Sequence, residues 1–301
     1  FVVPLSWLQM WMLKSLSRIL FFLIYYFVPY RRKLVIRNLT RCFPEKSKEE
    51  IKQICKSFYL HLADLVVESV KNLSIKEDDL RSRMIVKNPE LIQKLYDKDR
   101  SVLLVSGHYN NWEFLITAQN LILPHQAVGI GMPLTNKFWD KKLNERRSRF
   151  GMRIVNAQNV REKMEEWKNE PTASLVLSDQ SPGDSRKSYW MDFLNRKTPV
   201  LFGAEMMANT YDFAVVYFQI DKVERGFYEI TFKMITEKPR DEVYGFITES
   251  HTRLLEQTIR KNPAYWVWTH KRWKREVPED LEGLRKEQEE KFNKKFRSFN
   301  Q

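Results

Sequence analysis

Between Ser101 and Ser178 the chain alternates short apolar, β-branched runs with stretches of helical periodicity, and this order constrains the fold more than any other feature. Ser101–Ser106, Gln126–Gly131, Arg153–Val155 and Ala173–Ser178 read as strands; Asn110–Leu123, Asn136–Phe150 and Val160–Asn169 read as the helices between them. A strand–helix–strand alternation of this kind predicts an α/β fold with a mainly parallel central sheet flanked by helices, since parallel neighbours need a crossover. Further along, Pro199–Asn209 reads as a helix and Phe213–Ile220 and Phe227–Ile235 as strands, the second alternating like an edge strand. Ile75–Asp99 is charged and locally helical and reads as a connection into the first central strand.

The first strand delivers Gly107-His-Tyr-Asn-Asn-Trp-Glu113 to its carboxyl end, where ligand sites collect in parallel sheets. His108 and Glu113 are five residues apart, about 140° around a helix, and could not touch if both were helical. A turn over Gly107–Asn110, with Asn110 as N-cap, lets the Glu113 carboxylate fold back toward the imidazole. Asn110 and Glu113 equally fit a capping box with no chemistry attached. The strand ending at Ser178 delivers Asp179-Gln180 and Pro182-Gly183 to the same sheet edge. Arg186, Lys187, Arg196 and Lys197, interleaved with Tyr189, Trp190 and Phe193, are expected to ring the cleft with positive charge and apolar surface.

The chain begins with an apolar, aromatic segment whose uninterrupted run, Ile19–Val28, is ten residues long. That is short of the roughly 20 residues of a simple span, so an interfacial or re-entrant anchor is as plausible as a crossing. Basic residues from Arg31 to Arg41 with no acidic residue before Glu45 place the following flank in the cytoplasm. The expected organisation is a membrane anchor over residues 1–30 and one catalytic domain over 31–301. Lys46–Leu73 has the spacing of an amphipathic helix, in which a lone His61 is structural. The net charge of +13 favours anionic partners. Tyr265-Trp-Val-Trp-Thr-His-Lys-Arg-Trp-Lys274 could stack on nucleic acid, but beside an anchor it suits a lipid headgroup interface better, and no nucleic-acid partner is expected. Two cysteines and five histidines show no metal-ligand spacing, so no metal is expected. The tail 278–301 reads as a solvated, mixed-charge helix.

In order, Tyr30-Arg-Arg-Lys33 through Asn38-Leu39 and Phe43-Pro44, Gly107–Glu113 with its His-x4-Glu spacing, Arg149-Phe-Gly151, Asp179-Gln180 with Pro182-Gly183, and Tyr265-Trp266 through Trp268–Trp273 resemble the lipid A biosynthesis (late) acyltransferases of Gram-negative bacteria. The resemblance covers nearly the whole chain, departing at Phe193-Leu-Asn195, where the family usually has Phe-Phe-Gly. It implies a glycerol-phosphate-acyltransferase-like fold and transfer of a fatty acyl group from an acyl carrier protein thioester, or a coenzyme A thioester, to a hydroxyl of a phosphorylated glycolipid at the inner membrane, with no bound cofactor. On this reading His108 is the general base, oriented by Glu113. Arg149, with Arg146 behind it, would face the oxyanion. Asn111, Asp179 and Gln180 would contact substrate, and Arg186, Lys187, Lys271 and Arg272 would meet phosphates. Other lipid acceptors are the alternative within the enzyme class; a non-catalytic membrane-surface protein is the alternative outside it.

Overall fold

The computed structural model describes residues 2–297. Its strands, in chain order, are β1 (Met84–Val86), β2 (Val102–Ser106), β3 (Gln126–Gly131), β4 (Arg153–Asn156), β5 (Thr172–Leu177), β6 (Tyr189–Phe193), β7 (Arg196–Val200), β8 (Ala214–Glu224) and β9 (Phe227–Thr236). Seven of them form one sheet in the order β1-β9-β8-β2-β5-β3-β4. From β8 to β4 every pairing is parallel; only the β8/β9 hairpin is antiparallel. β2 lies at the centre with all five residues buried, as an apolar run covered on both faces requires. The α/β architecture with its mainly parallel sheet is as the alternation predicts.

Three local expectations are corrected. β9 is not an edge strand, because Met84, Ile85 and Val86 pair with Tyr228, Glu229 and Ile230. The edge strand β1 lies inside the segment read as a connection, too short for a pattern of period two to emerge. Residues 189–200, expected as a rim of the cleft, are a two-stranded hairpin: Tyr189, Trp190 and Phe193 are buried, and Leu194 and Asn195 both take positive φ at the turn, as a two-residue hairpin demands. The helix expected from Pro199 begins only at Gly203, because β7 occupies Arg196–Val200.

The helix Lys48–Lys71 opens on a capping box in which Ser47 and Glu50 satisfy each other's backbone N–H groups. Against it lies the N-terminal helix, the expected anchor, Met10–Phe22 continued by a π-turn to Phe27, which is apolar and long enough, by length and composition, to cross a membrane. Its inner face buries Met10, Leu13, Ser17 and Phe21. Polar bonds fasten the same face: Ser17 Oγ donates to Asp64 at 2.8 Å and Arg225 donates to the Lys14 carbonyl at 3.0 Å, while Lys71 holds the segment ahead of the helix through the carbonyls of Ser6 and Leu8. Trp7, Trp11, Ile19, Phe22 and Phe27 point outward and exposed. The C-terminal helix spans Leu281–Phe296, its Phe292 buried beside Tyr244; residues 298–301 of the expected tail lie outside the described residues.

Candidate active site

Strand register builds the centre of the site. β2 and β5 pair with Ser106 opposite Leu177, and Ser178 N–H continues the ladder to the Ser106 carbonyl at 2.9 Å. Each strand therefore releases its next residues at the same level, which brings His108 and Asp179 side by side. The Asp179 carboxylate takes the His108 backbone N–H on Oδ2 at 2.8 Å and the imidazole Nδ1 on Oδ1 at 2.6 Å. Gly107 is required between them: a Cβ there would stand 2.8 Å from Asp179 Oδ2 and 2.6 Å from the Leu255 side chain. The indole N–H of Trp266 gives Asp179 a further bond of 2.7 Å. Burial pushes the Asp179 carboxyl up, but the charge of His108 and the bonds from its ring, its backbone and Trp266 outweigh it and bring the pKa down to about 2. An ionised Asp179 on Nδ1 fixes the tautomer with Nε2 as the basic nitrogen. On that side the Gln180 amide lies 3.2 Å from Nε2, while Trp112 packs edge-on to the ring at 5.0 Å.

Beside the imidazole runs a cleft of about 640 Å³. Ile116, Ile130, Ile154, Leu175 and Leu177 supply apolar walls, Gln180 lies against His108, and Asp140, Asn144, Arg147 and Asn156 add polar groups. A basic nitrogen held by a carboxylate at the head of a hydrocarbon-lined cleft suits proton transfer next to a long aliphatic substrate.

Residues 3–275 match the model of the bacterial lipid A biosynthesis acyltransferases. The chain belongs to that family. It is 20% identical over 254 residues to the lipid A biosynthesis palmitoleoyltransferase of Escherichia coli (strain K12), with 82% of this chain and 80% of that protein covered. It is equally similar to the lipid A biosynthesis acyltransferase of Shigella flexneri. The protein is an acyltransferase.

Within this acyltransferase the expected residues separate into those the fold brings together and those it does not. His108, Asp179 and Gln180 converge. Glu113 differs from its expected role: it makes no hydrogen bond to the imidazole and is instead clasped by Arg146 and by Arg147, whose Nε lies 3.3 Å from Oε2. Burial raises the Glu113 pKa, but the two guanidinium groups outweigh it and hold the carboxyl below its ordinary value. Arg149, the expected oxyanion donor, turns away to bind the carbonyls of Leu73 and Ile75 and lies over the Phe150 ring. Asn111 is buried and structural, and it rather than Asn110 is the N-cap: its Oδ1 accepts from Phe114 N–H at 2.9 Å and its amide donates to Glu68 at 2.6 Å. Asn110 takes positive φ and ties its amide to the Ile220 carbonyl, so the turn ends one residue later than the spacing suggests.

The cationic candidates separate in the same way. Arg186 and Lys187 are exposed on a short 3-10 turn, with Lys187 4.0 Å from Asp184. Lys271 is exposed, but Arg272 is buried and donates to the Pro199 carbonyl at 2.7 Å. Burial lowers its pKa to about 10, against the attraction of Asp179. The aromatic run around it is correspondingly internal: Trp266 and Trp268 are buried in the body rather than presented to lipid. Two further side chains at this centre, Arg147 on the cleft wall and Trp266 on Asp179, are not separable in the sequence from a helix-end cation and a surface aromatic.

Glu68 supports this centre from below, accepting from Asn111 and, at 2.7 Å, from Tyr228. Burial raises its pKa to about 7 in spite of those bonds. A raised carboxyl binds more protons folded than unfolded between its two pKa values, so its contribution to stability falls as pH climbs from about 4.3 to 7. Glu68→Gln, which keeps the acceptor oxygen, is expected to match the wild type at pH 4 and exceed it by about 3–4 kcal/mol at pH 8 in urea unfolding. Equal stability at pH 8 would show that Glu68 pays no ionisation penalty in the fold.

Proposed function

We propose that this acyltransferase moves a fatty acyl group from a carrier thioester, on acyl carrier protein or coenzyme A, to a hydroxyl of a lipid A precursor at the cytoplasmic face of the inner membrane. The observation that carries this reading is the Asp179–His108 pair at the head of the apolar cleft. The acceptor hydroxyl would take the position at Nε2 now held by the Gln180 amide. As its oxygen attacks the thioester carbonyl, the hydroxyl proton passes to Nε2, and Asp179 stabilises the imidazolium. The tetrahedral oxyanion collapses with cleavage of the C–S bond, and the imidazolium returns the proton to the departing thiolate. Arg147 and Gln180, both on the cleft wall, are the donors suited to the oxyanion. No acyl-enzyme is needed, and Cys42 and Cys55 are buried with thiols pushed up to about 12 and about 11 by burial.

The anchor helix fits this reading as an interfacial element rather than a span, because its inner face is bonded to Asp64 and Arg225 of the body. Its exposed tryptophans and phenylalanines would enter the headgroup layer. Met132, Leu134, Phe138 and Trp139 are exposed near the cleft mouth, where an acyl chain would enter from lipid. The test is mass spectrometry of total lipids from a strain lacking the gene and from the same strain complemented. A lipid A species lighter by one acyl chain in the deletion supports the proposal; an unchanged lipid A with a changed phospholipid or aminolipid would reject it. The cleft also carries a specificity prediction. Ile154→Phe should shift donor preference toward chains about two carbons shorter, each excluded methylene costing about 1 kcal/mol, read from kcat/KM over a series of acyl donors.

A further inference from the structure

A second large cavity, of about 540 Å³, shares no lining residue with the acyl cleft and lies between the anchor helix and the body. Arg18 enters it from the anchor helix, His61 and Asp64 from the helix Lys48–Lys71, Lys222 and Arg225 from the β8/β9 hairpin, and Tyr265 from the opposite wall. Three cations thus face one carboxylate. Asp64 engages Lys222 at 3.2 Å and Arg225 at 3.1 Å, leaving an excess of positive charge. Arg18 is exposed and makes no hydrogen bond or ion pair among the described residues.

His61, 3% exposed, lies against the Tyr265 ring at 4.7 Å, and neither of its ring nitrogens has a hydrogen-bond partner. A buried imidazole with both polar atoms unpaired is costly unless the cavity it lines supplies an acceptor. Burial, reinforced by Lys222 and opposed by Asp64, brings its pKa down to about 3, so it is a neutral N–H donor. One neutral donor beneath surplus cations suits an oxyanion and disfavours a metal ion.

We propose that this cavity binds the phosphate of an anionic membrane phospholipid, distinct from the reacting acceptor. Position favours a lipid source: Arg18 shares its helix with the outward-facing Trp11, Ile19 and Phe22, so the cavity opens at headgroup depth if that face lies in the interface, as proposed above. The site is also joined to the catalytic turn. The Tyr265 carbonyl accepts the Asn110 N–H at 3.0 Å, Tyr109 Oη donates to the Asn262 carbonyl at 3.0 Å, and the neighbouring Trp266 holds Asp179. A headgroup that fixes the 262–265 wall therefore braces the loop that carries His108.

The test is vesicle flotation of the full chain with phosphatidylcholine alone and with added phosphatidylglycerol, comparing wild type, His61→Phe and Arg18→Gln. His61→Phe keeps a ring against Tyr265 while removing both polar atoms. Added phosphatidylglycerol should strengthen wild-type binding about fivefold for each cation engaged; Arg18→Gln should lose one such factor and His61→Phe at least as much, both binding phosphatidylcholine as before. Hydrogen exchange at the Asn110 amide should slow with the anionic vesicles in the wild type only. Variants that retain the full gain would overturn the site, leaving only diffuse charge attraction. Inorganic phosphate that slows Asn110 exchange without vesicles would overturn the lipid source. Failure of the wild type to bind phosphatidylcholine would sink the interfacial placement together with this site. No thioester enters these measurements, so failure of the acyl-transfer proposal would register separately.

Discussion

His108→Ala is expected to lower acyl transfer by about 10²–10⁴-fold with the fold intact, and Asp179→Asn to approach the same loss. The Asp179 prediction follows from geometry: the carboxylate holds Nδ1 at 2.6 Å and the backbone N–H at 2.8 Å, so an amide in its place can present N–H to Nδ1 and leave Nε2 protonated. The loss should fall on kcat, with little change in KM for the donor, because neither group is needed to seat the acyl chain. Retained turnover in His108→Ala would remove the general base from the mechanism. A mild Asp179→Asn would return the orienting role to another carboxylate. Asp179 also has a stability signature: its folded pKa lies below its unfolded value, so its contribution is complete above about pH 4 and is lost as pH falls toward 2. The Asn variant should lack that part of the acid transition.

Glu113→Gln should instead register first in stability, with a loss of about 3–5 kcal/mol in urea unfolding, because removing one partner of a buried ion cluster leaves its counter-charges uncompensated. Two guanidinium groups converge on this carboxylate, and Arg146 already has a buried Nε without a partner. Activity should fall too, since Arg147 lies on the cleft wall and Glu113 sets where its charge stands. Arg146→Ala at the same position of the cluster should restore part of the stability lost in Glu113→Gln by removing one surplus charge. A Glu113→Gln protein of wild-type stability but crippled kcat would mean that the carboxylate acts on the imidazole directly.

These two variants divide what was legible from what was not. The strand–turn–helix after Val105, the cleft-lining strands and the candidacy of His108, Asp179 and Gln180 follow from local patterns: apolar runs stopped by glycine or an acidic turn at the carboxyl ends of parallel strands. The His-x4-Glu spacing is also local, and it suggested a contact the fold does not make. Glu113 lies on the first turn of the helix Trp112–Ile122, close enough for the charge of His108 to act on it, but its hydrogen bonds go to Arg146 and Arg147 at the end of the helix Lys137–Arg147. Arg149 illustrates the same limit: its motif position is plain, but its side chain is captured by carbonyls at Leu73 and Ile75.

The sequence by itself determined the fold class, the apolar N-terminal segment, the family resemblance and the candidacy of His108, because each rests on periodicity, composition or the order of neighbouring residues. Which carboxylate lies against His108 was decided only by tertiary structure. His108 and Asp179 are 71 residues apart and meet because β2 and β5 pair in one register, Gly107 leaves room for the carboxylate and Trp266 holds it from a third segment. A contact across three segments depends on register and on which side chains fill the space between strands, and neither quantity has a local pattern in the chain.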